Sequence, residues 1–233
     1  MLDLPNVTIV TIDGVGNEPR CLKALNYSCK NINFAAKKYL SPVNFNKKND
    51  IQYIEIPKLS YDDYSEFCLI ELHKYIDTDY VLIVHDDGFV LNSKQWNSIN
   101  LSYDYIGAMW PQDHLFYNTQ RWPTVHKKLI ESNLSFLVGN GGFCLRSKKL
   151  MKKVADIYSK NYYKIPEDVV ICILLRKQLE EEGFKFATYD VASQFSCESI
   201  FLHDRTVTPE QTFGVHGGDT HNKYMKLLDD VEI

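Results

Sequence analysis

A continuous apolar run, Tyr80-Val81-Leu82-Ile83-Val84, stops abruptly at His85-Asp86-Asp87-Gly88. A run with no polar alternate describes a strand buried on both faces, the pattern of a parallel sheet covered by helices. The segments before it agree. Residues 7–12 are a β-branched run closed by the turn signal Asp13-Gly14. Over about residues 20–30, Leu22, Leu25 and Cys29 recur at helical spacing behind Pro19. Residues 34–40 and 51–56 read as further strands. Across 64–76, Phe67, Leu69, Ile70, Leu72 and Ile76 give a helix one apolar face. This βαβα series predicts an α/β chain with a mostly parallel central sheet flanked by helices. Ligands of such sheets sit outside the carboxyl ends of the strands, and two of those ends carry acids, Asp13 and the 85–88 cluster.

The second half is more irregular. Residues 105–109 read as a short strand containing Gly107, followed by a polar aromatic stretch from Trp110-Pro111 to Trp122-Pro123. A strand over 134–138 leads into Gly139-Asn140-Gly141-Gly142, and a strand resumes at 143–145. Residues 148–159 read as a helix. Pro166-Glu167-Asp168 opens another that runs through Leu179 to a stop at Gly183, followed by a weak strand near 186–189. No internal repeat or low-complexity linker divides the 233 residues, so one domain is expected.

Composition narrows the classes. The 26 Lys+Arg against 30 Asp+Glu leave a formal charge of −4, which argues against nucleic acid as a partner. Hydrophobic residues at 45% supply a sizeable core without metal or disulfide staples. The six cysteines, at 21, 29, 68, 144, 172 and 197, form no C-x-x-C pair and read as reduced, mostly buried thiols of a cytoplasmic protein. The amino terminus shows no basic n-region, and no apolar run approaches the ~18 residues of a membrane span.

Adjacent carboxylates beside a histidine at a buried strand end are unfavourable unless a cation compensates them. Oxygen ligands suit Mg²⁺ or Mn²⁺, and His85 tilts the choice toward Mn²⁺. In an extended segment His85 and Asp87 share one face. The bland alternative is an Asp-Gly turn whose acids cap the next element. His216, in Phe213-Gly214-Val215-His216-Gly217-Gly218, is a second candidate ligand, because flanking glycines let backbone approach a ligand closely. His114, His203 and His221 lack such flanks and read as surface residues. Glu167 and Asp168 at a helix start could simply oppose the macrodipole, or one could act as general base. The 139–142 turn suits the floor of a sugar site but lacks the Gly-Lys-Ser/Thr of a phosphate loop. Trp110, Phe116, Tyr117 and Trp122 could be core or could stack on a sugar or base.

In order along the chain, these segments resemble a GT-A-type glycosyltransferase. The resemblance rests on residues 79–89, Tyr103-Asp104-Tyr105-Ile106-Gly107-Ala108, Gly139-Asn140-Gly141-Gly142-Phe143 through Arg146-Ser147, Pro166-Glu167-Asp168, and Phe213-Gly214-Val215-His216-Gly217. The combination is similar to a little-characterised family of small GT-A-like domains of bacteria and large DNA viruses, and covers about residues 6–218. It implies a Rossmann-like nucleotide-binding half over about 6–105, an acceptor half over about 106–220, and a tail or helix over 221–233. It also implies a nucleotide-sugar donor, UDP by default, a hydroxyl acceptor such as a glycan, and a divalent cation on the diphosphate.

The family's Asp-x-Asp motif aligns with His85-Asp86-Asp87. His at its first position leaves Asp87 as the surest metal ligand, joined by His216 and possible help from His85. Asp168 matches the base of inverting members, with Glu167 beside it. Asp13 falls where relatives hold nucleobase and ribose, with Arg20, Asp86 and Asp87 as further donor contacts. Trp110, Asn140, Gly141 and Gly142 fall on the acceptor and sugar side. Two other readings stand beside this one: a sugar-phosphate nucleotidyltransferase, and a carbohydrate-binding domain that keeps the fold without turnover.

Overall fold

The computed structural model describes residues 1–16, 19–47, 50–132, 136–198, 207–217 and 222–233. Strand β1 (Leu2–Ile12) is followed by helix α1 (Arg20–Ser28), β2 (Ile32–Ser41), β3 (Gln52–Glu55), α2 (Tyr61–Ile70) and β4 (Tyr80–Val84). Then come β5 (Gly88–Val90), β6 (Tyr105–Ile106), β7 (Ala108–Pro111), α3 (Gln112–Thr119), α4 (Pro123–Ser132), β8 (Phe136–Gly139), β9 (Phe143–Ser147) and α5 (Lys148–Asp156). The chain continues through α6 (Glu167–Val169), α7 (Arg176–Glu181), α8 (Tyr189–Phe195), β10 (Ser196–Cys197), β11 (Gly214–His216) and α9 (Asn222–Met225).

The principal sheet has six strands in the order β3-β2-β1-β4-β9-β6. Its β3-β2-β1-β4 part is parallel, whereas β9 runs antiparallel to both β4 and β6. The mixed α/β architecture with a mostly parallel sheet is therefore the expected one. β4 sits at its centre because Val81, Leu82, Ile83 and Val84 are all fully buried. Each such side chain contributes roughly 1.5–3 kcal/mol relative to exposure. From β1 the chain steps outward to β2 and β3, then crosses back to place β4 on the other side of β1. The carboxyl ends of β1 and β4 thus meet where the strand order reverses, which is where such sheets form a ligand crevice.

Two small sheets accompany the principal one, and β11 of the first brings His216 to that crevice. β10, β11 and β5 form one; β7 and β8 pair antiparallel in the other. Residues 139–142 consequently do not close a hairpin: β8 pairs with β7, and β9 with β4 and β6, so the turn carries the chain from one sheet to the next.

Several sequence expectations need correction. The strand expected over 105–109 is split at Gly107, where the chain runs so close to Gly139 that a Cβ would fall 1.6 Å from its carbonyl oxygen. The helix expected from Pro166 to Gly183 is interrupted by a π-helical turn over Val170–Leu174. The strand near 186–189 is a single bridge between Phe186 and Tyr105, with α8 starting at Tyr189. The aromatic stretch after Trp110 contains α3 and the start of α4. Pro123 at the first position of α4, with Val125 and Leu129 buried four residues apart, is a helix signal that the surrounding aromatics obscured. All six cysteines are free, four of them buried. No helix among the described residues is long and apolar enough to cross a membrane. His203 and His221 lie outside the described residues.

Leu82 is fully buried and registers with Ile9 on one side and Leu145 on the other. Leu82→Ala should lower the unfolding free energy by about 2–5 kcal/mol. Urea denaturation should show the midpoint falling with its slope unchanged.

Candidate functional site

At the end of β4 the backbone makes a tight turn in which His85 N–H donates to the Gly88 carbonyl at 2.8 Å, and Gly88 N–H to His85 O at 3.2 Å. The turn feeds β5, which pairs antiparallel with β11, so that Gly88 faces His216. Gly217 N–H closes the ladder on Asp87 O at 3.0 Å. A residue 128 positions along the chain from Gly88 is thus locked beside the acidic turn by backbone pairing (216 − 88). The result is a cluster in which ligand atoms of His85, Asp87 and His216 all lie within 4.8 Å of one another. His216 Nε2 is 3.3 Å from Asp87 Oδ1. Gly142, just ahead of β9, completes the seat: a Cβ there would fall 2.1 Å from His216 Nε2.

These groups line a cleft of about 520 Å³ that also takes in Asp13, Arg20, Asp86, Gly141, Glu167 and Asp168. Five acidic residues therefore line a space where Arg20 is the one Lys or Arg among the described lining residues. Asp13 is largely occupied by its own chain. Its Oδ1 accepts from Gly16 N–H at 2.8 Å, and its Oδ2 from Tyr39 OH at 3.2 Å and Ser41 Oγ at 3.3 Å. Asp86 is exposed at the lip.

Across the cleft, Asp168 is fixed by two backbone donors, Gly141 N–H to Oδ2 at 3.0 Å and Val169 N–H to Oδ1 at 2.7 Å. Burial, with Glu167 and Glu198 nearby, raises its pKa to about 7. Glu167 points the other way. Its Oε1 accepts from Arg146 Nη2 at 2.8 Å, in an ion pair whose side chains are 7% and 0% exposed. Arg146 also stacks over Tyr105.

The two imidazoles differ electrostatically. Burial lowers the His85 pKa, and the neighbouring His216 charge lowers it further. Burial would lower His216 as well, but Asp87 and Glu198 outweigh it and raise the pKa to about 10. The two carboxylates thus favour the protonated ring, and an ion that takes Asp87 and His216 competes with that proton.

The donor set fits a divalent ion. At metal–ligand distances of about 2.0–2.2 Å, two donors on one ion lie at most about 4.4 Å apart, so the observed spread needs only small side-chain rotations. Mixed imidazole and carboxylate donors suit Mn²⁺ and its neighbours better than Ca²⁺.

Of the sequence candidates, His85, Asp86, Asp87, His216, Asp13, Arg20, Gly141, Gly142, Glu167 and Asp168 all line the one cleft. Trp110 and Asn140 do not. Trp110 is 6% exposed, and its indole N–H donates to Glu198 Oε2. Asn140 is buried with φ 76°, its Oδ1 accepting from Gly142 N–H at 2.8 Å and Phe143 N–H at 3.3 Å, so its side chain builds the turn beneath the cleft. Tyr64, Arg146 and Glu198 escaped the sequence reading. Tyr64 OH pairs with His85 Nε2. Tyr64 looked like one more aromatic of an amphipathic helix, and Arg146 inside an apolar strand was the only outward signal of a buried ion pair.

Removing one partner of a buried pair leaves the other charge uncompensated, at about 3–5 kcal/mol. Arg146→Met should destabilise by that much in a denaturant titration. Arg146→Met combined with Glu167→Gln should recover most of it; no recovery would mean that the pair is not the source.

Galactosyltransferase LgtC, in complex with donor and acceptor sugar analogs, matches with a TM-score of 0.54 at 14% identity, covering 97% of this chain and 96% of LgtC. An active-site mutant of LgtC matches with a TM-score of 0.51 at 14% identity, over 96% of this chain and 94% of that one. The glycosyltransferase GlyE of Streptococcus pneumoniae TIGR4 has a TM-score of 0.48 at 11% identity, over 98% of this chain and 61% of GlyE. At these identities the likeness is one of fold. No curated protein matches the chain. The model of the family described as "Protein of unknown function (DUF5672)" matches residues 49–216, and the chain belongs to that family.

Proposed function

We propose that the protein is a metal-dependent glycosyltransferase that moves a sugar from a nucleotide-sugar donor, a UDP-sugar by preference, to an acceptor hydroxyl with inversion. The observation that carries this reading is the division of one cleft into two walls. One presents the His85, Asp87 and His216 donor set. The other presents Asp168, held by backbone N–H groups and tuned to about 7. A binding module has no need of a carboxylate brought to neutral pH, whereas general base catalysis does. The fold of LgtC, whose structure holds donor and acceptor sugar analogs, agrees with a two-substrate cleft.

In this reading Asp87 and His216, with His85, hold Mn²⁺ or Mg²⁺. The ion, when bound, neutralises the diphosphate and the charge developing on the leaving oxygen. Arg20 and Asp13 border the nucleoside end, and Asp86 contacts the donor at the lip. Gly141 and Gly142 border the sugar. Asp168 takes the proton of the acceptor hydroxyl as its oxygen attacks the anomeric carbon. The bond from that carbon to the diphosphate breaks, and the nucleoside diphosphate leaves with the electron pair. Glu167 keeps Asp168 in place through its pair with Arg146 and raises the carboxyl pKa by its own charge.

A thermal-shift screen of nucleotide sugars with Mn²⁺ should find a donor that raises the melting temperature, since saturating ligand adds a few kcal/mol of stability. The Asp87→Ala variant should lose the metal-dependent part of that shift. Consumption of a sugar phosphate plus nucleoside triphosphate, rather than of a preformed nucleotide sugar, would replace the proposal with nucleotidyl transfer.

The base works only when ionised, so kcat/KM for the donor-loaded reaction should fall as pH drops below about 7. Asp168→Asn should lower turnover by about 10²–10⁴-fold and keep donor binding. A pH profile without an acid limb, or an active Asn variant, would remove Asp168 from the mechanism.

A further inference from the structure

The carboxylate of Glu198 lies between the candidate metal site and Trp110 of β7. Glu198 follows β10, which pairs in parallel with β11 through Ser196 with Gly214 and Cys197 with Val215. The next residues along the two strands are Glu198 and His216. Glu198 Oε1 lies 3.8 Å from His216 Nδ1, at ion-pair distance. The opposite ring nitrogen, Nε2, faces Asp87 Oδ1 at 3.3 Å. The imidazole therefore has a carboxylate near each nitrogen, Asp87 beside Nε2 and Glu198 within ion-pair range of an Nδ1 that has no hydrogen-bond partner among the described residues.

The other oxygen of Glu198 is anchored. It accepts the indole N–H of Trp110 on β7. That ring has no freedom to shift, because it lies against Gly139 on the paired strand, where even a Cβ would fall 2.1 Å from the indole Cζ3 atom. A buried indole N–H needs an acceptor, and here the acceptor is a carboxylate whose second oxygen is aimed at a candidate metal ligand.

We propose that Glu198 is a positioning residue of the metal site, clamped by Trp110 so that it holds the His216 ring with Nε2 turned toward Asp87 and the ion. The proposal rests on the metal reading above and adds to it the group that orients the ligand. Carboxylates that accept from the remote N–H of a ligating imidazole fix its tautomer and ring orientation, and their loss typically weakens metal binding by about 10–100-fold. It also assigns Trp110 a role behind the wall of the cleft in place of stacking on a sugar.

The test uses the full chain, MnCl₂ alone and titration calorimetry, so that it does not depend on turnover. Glu198→Gln keeps the shape and an acceptor for the indole but removes the charge. It should bind Mn²⁺ about 10–100-fold more weakly while still unfolding in one cooperative transition. Trp110→Phe keeps the carboxylate and removes its anchor, and should give a smaller loss in the same direction. His216→Ala should abolish binding. If both Glu198→Gln and Trp110→Phe bind Mn²⁺ as tightly as the wild type while His216→Ala does not bind, the positioning role is overturned and the metal site stands. If the wild type binds no Mn²⁺, or His216→Ala binds it undiminished, the metal reading falls and this proposal falls with it.

Discussion

Carboxylates gathered at a buried strand end repel one another and lose hydration, and they stay ionised only where positive charge or N–H donors meet them. Most features of this cleft answer that constraint. Glu167 is turned inward and met by Arg146. Asp13 is met by one backbone N–H and two hydroxyls. Asp87 is met by His216, whose protonated form Glu198 and Asp87 together favour. Asp168 is met less completely, by two N–H groups against two carboxylate neighbours, and its proton affinity rises instead. The acids are thus graded from fully compensated behind the wall to poised at the surface of the cleft.

The fold sets this grading by where it brings strands together. Reversal of strand order at β1 and β4 opens a crevice at their carboxyl ends. The antiparallel return of β9 sets Phe143 opposite Val84, so the Gly141-Gly142 corner arrives beside His85. Pairing of β5 with β11 then delivers His216 from the end of the chain. Each approach is close enough to exclude a side chain, as the Gly142 contact with His216 shows. Stability and site are therefore not separable here: the same ladders that close the small sheets bring the donor atoms within reach of one another.

The parallel half of the sheet was legible because its strands are long, apolar and separated by periodic helices. Tyr80–Val84 alone located both the sheet centre and the acidic turn. The clustering of His85, Asp87, Asp168 and His216 in one cleft was legible too, through motif order. The three-residue strands β5 and β11 and the two-residue β10 were not, since so few residues carry no period to detect. Glu198 was invisible for the same reason: it lies one residue beyond the paired rungs of β10 and β11, a placement no local pattern encodes. Trp110 and Asn140 were misplaced because an aromatic or an amide near a glycine turn looks the same whether it faces the cleft or supports it from behind.

One departure from the GT-A pattern acquires a physical sense from this arrangement. Where the sequence resemblance implies the first acid of an Asp-x-Asp motif, this chain has His85. The cleft already holds five carboxylates against one arginine. A further carboxylate at position 85, beside Asp87, would compete with it for the His216 imidazole, unless an ion were permanently present. An imidazole, its pKa pushed down by burial and by the His216 charge, adds a ligand atom without adding negative charge. Tyr64, hydrogen-bonded to its Nε2, fixes the ring. The ion-free cleft can then fold and persist, and under the proposed function the price is a weaker hold on the cation, recovered when the donor's diphosphate arrives with its own oxygens.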